Sequence, residues 1–315
     1  MNPHLSLVTP VHNGASFIEA NIRTITTALE RLDRPFEVIV VCDGCSDPTA
    51  ERARALADPR VRVLQYAQNR GKGHAIIHGV THARGRLIGW LDGDLDIAPA
   101  TIVEAARRFD DAEIDAVIGS KRHPDSRVVY PWIRRLYSLG FQILVRVLFR
   151  INVRDTQVGA KVFRRELLDT VAPLLLVKRY AFDLEVLAVG AEFGFDRIEE
   201  APINLSYRFS GSLINRAAVR SMFVDTLAIA YRIHLRHWYV RQFALRQRSR
   251  VDAPHMSPPS GPARAPVRNG VGVEFGQGDR PEASAMLVGG NSARRRFRRG
   301  RPEATSAPGS ARTTE

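Results

Sequence analysis

The chain has 315 residues, 44% of them hydrophobic, and a formal net charge of +13, the composition of a globular protein with a sizeable core. No apolar run approaches the roughly 18 residues that a transmembrane helix needs, and residues 1–4 lead into an apolar strand without a signal peptide's basic and apolar segments, so a cytosolic protein is expected. A basic excess of this size points to a phosphate-bearing partner: nucleic acid, anionic lipid or a phosphorylated substrate.

Apolar strands alternate with helical patterns through the first half. Leu5–Thr9 reads as a strand, followed by a helix over Phe17–Leu32 with Asn13 and Ser16 as cap candidates. Glu37–Val41 is a β-branched run of the central parallel type. Thr49–Ala57 reads as a helix, Val61–Leu64 as a strand, His74–Ala83 as a helix, and Leu87–Leu91 and Ala116–Gly119 as strands. This rhythm predicts an α/β fold built on a doubly wound parallel sheet with right-handed crossovers. From Asp252 onward Pro, Gly, Ser, Ala and Arg dominate without apolar periodicity, so residues 251–315 are expected to be disordered. Ten Arg against six acids give that tail +4, which leaves +9 on residues 1–250. Its cluster Arg294–Arg299 is either a dock for a membrane or nucleic acid, or a solvated tail.

The most informative stretch follows Leu87–Leu91. Asp92, Asp94 and Asp96 stand at alternate positions directly after the apolar run. A buried strand would deliver them to the C-terminal sheet edge, where open α/β sheets bind ligands. Carboxylates this close suit a hard divalent cation, Mg²⁺ or Mn²⁺, and through it a diphosphate; the alternative is a solvated acidic turn. Three other loops reach the same edge. Thr9-Pro10-Val11-His12-Asn13-Gly14 follows the first strand. Cys42-Asp43-Gly44-Cys45 follows the second, where Asp43 is placed either to accept a bond from a nucleobase N–H or to cap the helix at Thr49. Asn69-Arg70-Gly71-Lys72-Gly73 offers backbone amides and a cation, without the spacing of a Walker loop. Cys42 and Cys45 stand C-x-x-C with no second pair in the chain, and thiol chemistry is not expected of them.

Taken in order, Pro10, Asp43-Gly44, Asn69-Arg70-Gly71-Lys72-Gly73 and Asp92-Gly93-Asp94 resemble glycosyltransferase family 2. Asp155-Thr156-Gln157-Val158-Gly159-Ala160-Lys161-Val162-Phe163 is similar to a stretch of its dolichyl-phosphate β-glucosyltransferases, as are Phe182–Leu187, Glu200–Ile203 and Gly211-Ser212. The resemblance covers about residues 4–245. It implies the GT-A nucleotide-diphospho-sugar fold, a mixed central sheet flanked by helices. It departs from the family at His12, Gly14, Cys42, Lys121 and Leu213.

What the resemblance implies for the site is a nucleotide-sugar donor, UDP-glucose favoured, with GDP-mannose or a UDP-N-acetylhexosamine as the alternative, held by Pro10, Val11, Asn13, Asp43, Asn69, Gly71, Lys72, Gly73, Asp92, Lys121, Arg122, Asp155, Gln157, Arg208 and Ser212. Asp94 and Asp96 are the expected ligands of Mg²⁺ or Mn²⁺, and Asp92, Asp94, Arg134, Ser138 and Asp183 the expected catalytic set. The implied acceptor is polyprenyl phosphate. Its oxygen is ionised near neutral pH and needs cationic placement, from Lys121, Arg122, Arg134 and Ser138, rather than a base. A hydroxyl acceptor would instead require Asp183 or Glu185 as base. A single in-line displacement inverts the anomeric centre.

Leu136, Leu139, Ile143, Leu144, Val147 and Leu148 recur at helical spacing, flanked by Arg134, Arg135, Arg146 and Arg150. That is the pattern of a helix lying in a membrane interface, or of a core helix. A second basic stretch runs from Arg216 to Arg241, with Trp238, Tyr239 and Phe243 near its end as interfacial aromatics. Peripheral, monotopic attachment to the inner membrane face is the expectation, with the basic tail a possible further membrane contact. Nucleic acid is not expected as a partner, since no RNA-binding aromatic motif or helix-turn-helix pattern occurs.

Overall fold

The computed structural model describes residues 2–110, 113–126, 132–178, 181–203 and 216–251; at 132–138, 216–218 and 249–251 it describes the backbone. The expected disordered tail, Val251 apart, lies outside the described residues. Strands β1 (Leu5–Val11), β2 (Phe36–Asp43), β3 (Val61–Tyr66), β4 (Leu87–Leu91), β5 (Ala116–Ser120), β6 (Ala160–Arg164) and β7 (Ile198–Pro202) form one sheet in the order β3-β2-β1-β4-β6-β5-β7. The sheet is mixed: β6 runs antiparallel between β4 and β5, and the other pairings are parallel.

The sheet is thus the mixed one that the family resemblance implies, and the parallel run read from the strand rhythm alone is interrupted at β6. Its antiparallel course brings the 155–159 loop to the edge where β1, β2, β4 and β5 end. Two strands, β6 and β7, had no strand signal in the sequence. β6 reads Ala-Lys-Val-Phe-Arg and β7 Ile-Glu-Glu-Ala-Pro, neither of which is a clean apolar run.

Helices cover both faces. Helices α1 (Ile18–Glu30), α2 (Thr49–Ala55) and α4 (Ala100–Arg107) pack on one face around Ile22, Ile25, Leu29, Val38, Val40 and Ile102. On the other lie α3 (Lys72–His82), α5 (Trp132–Phe149), α6 (Arg165–Val171), α7 (Phe182–Glu192), α8 (Arg216–Ala230) and α9 (Trp238–Val251), around Trp90, Phe163, Phe182 and Tyr239. Asn13 and Ser16 do not cap α1, which starts after Phe17 without a side-chain cap. Instead Asn13 takes a left-handed φ of +53° and its Oδ1 accepts the Ser46 N–H, tying the first loop to the second.

Helix α5 divides its apolar residues between two surroundings. Val145 and Phe149 are buried in the core, whereas Leu139, Ile143 and Val147, four apart, are exposed. The Arg216–Arg241 stretch is not continuous: a π-helical turn at Tyr231–Leu235 and a positive φ at His237 separate α8 from α9. Tyr239 is buried, which removes it from the expected interfacial aromatics, while Trp238 and Phe243 are half-buried against the same core. No described helix is long and apolar enough to cross a membrane.

Candidate active site

The ends of β1, β2 and β4 and the start of α3 converge on one cavity of about 390 Å³. Pro10, Val11, His12, Phe17, Asp43, Asn69, Gly71, Lys72, Asp92, Gly93 and Asp94 line it. Four loops reached by separate crossovers meet there because parallel strands place all their C-termini on one side.

Asp43 ends β2 and is buried, so its carboxylate must find partners. It finds them in the third loop. Oδ1 accepts the Tyr66 hydroxyl (2.9 Å) and the Arg70 N–H (2.7 Å), and Oδ2 the Gly71 N–H (2.9 Å). It does not cap the helix at Thr49, whose N–H bonds Asp47 instead. Three of about four acceptor positions are filled, which leaves one for a ligand donor. Gly71 stands at φ +93°, a conformation that a side chain would strain, and the loop turns there into α3. Gly73 does not approach the cavity. Its N–H donates to the Lys178 carbonyl and its Cα packs against Phe182, so it joins α3 to α7.

The acidic turn after β4 is closed by the Leu95 N–H on the Asp92 carbonyl, with Leu95 at φ +56°, and pinned to α1 by Asn21 donating to the Gly93 carbonyl. Lys72, the first residue of α3, reaches over it. Its Nζ lies 2.6 Å from Oδ1 and 2.8 Å from Oδ2 of Asp92. Burial pushes the Asp92 carboxyl above its usual value, and the Lys72 ammonium pulls against that. Desolvation likewise disfavours the Lys72 charge, but Asp92, Asp183 and Asp94 together hold its pKa above normal. Asp94 is exposed and faces the cavity, its Oδ1 accepting the Asp96 N–H. Asp96 is exposed and outside the cavity lining, so the structure does not join it to Asp94 as a second metal ligand.

The donor set decides which cation fits. Among the described residues no group of three His, Cys, Asp or Glu side chains can enclose a metal. Asp92 and Asp94 do supply two carboxylates on one turn beside an open cavity. Magnesium-like ions are held by one or two carboxylates with phosphate oxygens and water completing the shell. The site therefore fits a divalent cation that arrives with a phosphorylated ligand.

Beneath this turn lies a buried ion pair. Lys161 Nζ, from β6, donates to Asp183 Oδ1 (2.7 Å) and to the Val158 carbonyl, and Trp90 Nε1 donates to the same Asp183 oxygen (3.2 Å). Burial lowers the Lys161 pKa, with Asp183 opposing. Asp183 as a catalytic base is thereby corrected: its side chain is only 7% exposed, and one oxygen is committed to both the Lys161 ammonium and the Trp90 N–H. Glu185 is corrected likewise. It is fully buried, accepts the Leu176 and Val177 N–H groups and the Tyr239 hydroxyl, and lies 3.5 Å from Arg232, so it anchors the start of α9. Nothing in the local sequence Phe-Asp-Leu-Glu tells these inward carboxylates from catalytic ones.

Lys121, Arg122, Asp155 and Gln157 gather at the end of β5, outside the cavity lining. Asp155 accepts the Lys121 and Gln157 N–H groups, and the Arg122 guanidinium donates to Gln142 of α5. The side chains of Arg134 and Ser138, and all of Arg208 and Ser212, lie outside the described residues. Asn13 is a loop staple, not a cavity residue. His12 and Phe17 were missed as lining residues. His12 Nδ1 donates to the Asp43 carbonyl (2.8 Å), which fixes its tautomer. Its place directly after Pro10-Val11 was the available signal. Cys42 and Cys45 are free thiols; burial, then Cys45, pushes the Cys42 thiol up to about 12.

Comparison with known proteins places this site. Glycosyltransferase AglD of Haloferax volcanii is 33% identical over 204 residues, 64% of this chain, which spans about a third (32%) of AglD's length. The dolichyl-phosphate beta-glucosyltransferases of Dictyostelium discoideum (28%) and Homo sapiens (29%) are each matched over 76% of this chain and 78% of their own. Crystal structures of Mycobacterium tuberculosis glucosyl-3-phosphoglycerate synthase share the GT-A fold. One complex with UDP has a TM-score of 0.56 at 21% identity, and one with Mn²⁺, UDP and glucosyl-3-phosphoglycerate has 0.55 at 22%. They cover 72% of this chain and 80% of their own. The family model described as Glycosyl transferase family 2 matches residues 6–172, the span that builds the whole cavity, and the chain belongs to that family of glycosyltransferases.

Proposed function

We propose that the protein transfers a hexose, most simply glucose from UDP-glucose, to polyprenyl phosphate at a membrane surface, with inversion and with a divalent metal. The donor half is supported by one cavity that joins Asp43, the Asn69–Lys72 loop and the Asp92–Asp94 turn, in a chain similar over three quarters of its length to dolichyl-phosphate beta-glucosyltransferases. Asp43 offers its remaining acceptor position to a nucleobase N–H. Asp94, with Asp92, would hold Mg²⁺ or Mn²⁺ against the donor diphosphate; when bound, that ion neutralises charge on the departing nucleotide. Lys72 supplies the protein's own cation to the same oxygens. Because glycosyl transfer passes through an oxocarbenium-like state, stabilising the leaving group is the main task.

The observation that carries the acceptor half is the engagement of Asp183 and Glu185 in the interior. A hydroxyl acceptor would call on a base of that kind, whereas a phosphate monoester attacks already ionised. Arg134 and Ser138 are the residues that the family resemblance implies for holding its phosphate. For the membrane surface, eleven of the twelve exposed large hydrophobics among the described residues lie on α5, α8, the π turn and α9. Arg146, Arg220 and Arg241 are exposed on the same elements, and Arg236 is exposed just after the π turn. Apolar side chains ringed by guanidinium groups suit the headgroup boundary of an anionic leaflet, and we place the protein there as a monotopic enzyme on the inner face.

The test is sugar transfer by purified full-length protein. Radiolabelled UDP-glucose, GDP-mannose and UDP-N-acetylhexosamines are offered in parallel with decaprenyl phosphate and Mn²⁺. One donor, UDP-glucose, is expected to give a glycolipid that disappears with Asp94→Asn. Transfer to soluble hydroxyl acceptors, with none to lipid phosphate, would overturn the reading.

A further inference from the structure

Asp92 and Asp94 share a turn but not a condition. Both oxygens of Asp92 face the Lys72 ammonium, at 2.6 and 2.8 Å. Its other flank is closed by Gly159, where even a Cβ would fall 2.0 Å from Oδ2. Beneath it lies the buried Lys161–Asp183 pair. The oxygens that Asp92 could offer to a metal are therefore the ones Lys72 holds. Asp94 is exposed, with the Asp96 N–H on one oxygen at 3.3 Å. A divalent cation approaching alone meets one available carboxylate, and gaining the second means standing within a few ångströms of an ammonium group. Like charges at that separation in a partly enclosed site repel strongly.

We propose that Lys72 is a resident counter-ion of Asp92 that competes with the divalent cation and cedes the carboxylate when a nucleoside diphosphate arrives. The diphosphate offers the ammonium equivalent oxygens within reach of a flexible four-carbon stem. Lys72 then moves from Asp92 to phosphate, and Asp92 turns to the metal. No covalent bond changes; one cation is exchanged for another. Metal and nucleotide thereby bind as a coupled pair, each strengthening the other by the same factor. A site built this way stays closed to free metal and to metal-free nucleotide. The exchange rests on the nucleotide-sugar reading above, while the competition between Lys72 and the cation does not.

Binding of Mn²⁺ alone, followed by the paramagnetic resonance signal of the free ion, tests this on full-length protein without turnover. Wild type should bind Mn²⁺ weakly. Lys72→Gln should bind it about tenfold more tightly, and Asp92→Asn added to Lys72→Gln should remove the gain. Lys72→Arg keeps the cation and should stay weak, with circular dichroism confirming that each variant is folded. With saturating UDP present, Mn²⁺ affinity should rise by a larger factor for wild type than for Lys72→Gln, since direct chelation by UDP is common to both. Equal Mn²⁺ affinity of wild type and Lys72→Gln without nucleotide would overturn the proposal. So would equal enhancement by UDP in the two. Failure of UDP to bind any variant would strike the nucleotide-sugar reading instead, and the nucleotide-free order would still decide whether Lys72 competes with the metal.

Discussion

Gly159→Ala is the substitution whose consequence the structure specifies most closely. Gly159 leads into β6 and passes against Asp92. A Cβ there would lie 2.0 Å from Oδ2, 2.7 Å from Cγ and 3.2 Å from Oδ1 of that carboxylate. Ordinary contact begins near 3.4 Å, so the carboxylate must shift by more than an ångström from the place where it meets Lys72 and the cavity. The Lys72–Asp92 pair is about a third exposed on each side, so losing it costs less than about 1 kcal/mol. Overpacking dominates, at about 1–3 kcal/mol, or about 2–4 °C in Tm per kcal/mol for a domain of this size. Activity should suffer far more, because a misplacement of about 1 Å at a reacting centre costs on the order of 100-fold. The assay is kcat/KM for sugar transfer beside thermal unfolding of the same sample. Gly140→Ala is the control: its Cβ meets nothing within 4 Å, and removing a helical glycine should leave activity unchanged and add about 0.5–1 kcal/mol. Gly159→Ala activity within threefold of wild type would refute the claim that Asp92 must stand where it does.

Further outcomes follow from the interior and the surface. Lys161→Met strands the buried Asp183 carboxylate and should cost about 3–5 kcal/mol in urea unfolding, with Lys161→Met/Asp183→Leu recovering most of it. Burial raises the Glu37 pKa, but hydrogen bonds from Ser6, the Arg84 N–H and Arg62 outweigh it and hold the folded value below 4.5. Its stabilisation is therefore complete above about 4.5 and fades as pH falls through the folded value; Glu37→Gln should lower stability at neutral pH and flatten that acid loss in a pH series of unfolding curves. Val147→Asp with Leu235→Asp should abolish sedimentation with anionic vesicles while leaving donor binding intact, since both side chains are exposed and remote from the cavity lining. Unchanged sedimentation would move the membrane contact elsewhere.

Much of the site was legible because a parallel sheet makes strand ends informative. Leu87–Leu91 is apolar without interruption, so the acidic turn after it had to lie at the sheet edge, and Asp43 and Lys72 followed by the same logic. What the sequence hid is which way a polar side chain faces. Lys161 interrupts β6 and conceals a strand, yet it is buried because Asp183 and the Val158 carbonyl satisfy it. Asp183 and Glu185 looked like candidate bases because their inward partners lie outside the local motif, in β6, in the turn before α7 and in α9. Gly73 resembled a ligand-facing glycine in its loop, and only the packing of α3 on Phe182 shows its role. Tyr239 reads as an interfacial aromatic for the same reason: Glu185, the buried acceptor that draws its hydroxyl inward, is 54 residues away.

The most direct test of the central claim is the configuration of the product. Purified protein is incubated with ¹³C-labelled UDP-glucose, decaprenyl phosphate and Mn²⁺, and the anomeric carbon of the lipid-linked sugar is read by NMR. The account predicts a β-glucosyl phosphate formed in one displacement, lost with Asp94→Asn and sharply reduced with Lys72→Gln. An α-linked product, or a β-linked one formed at undiminished rate by Asp94→Asn, would contradict it.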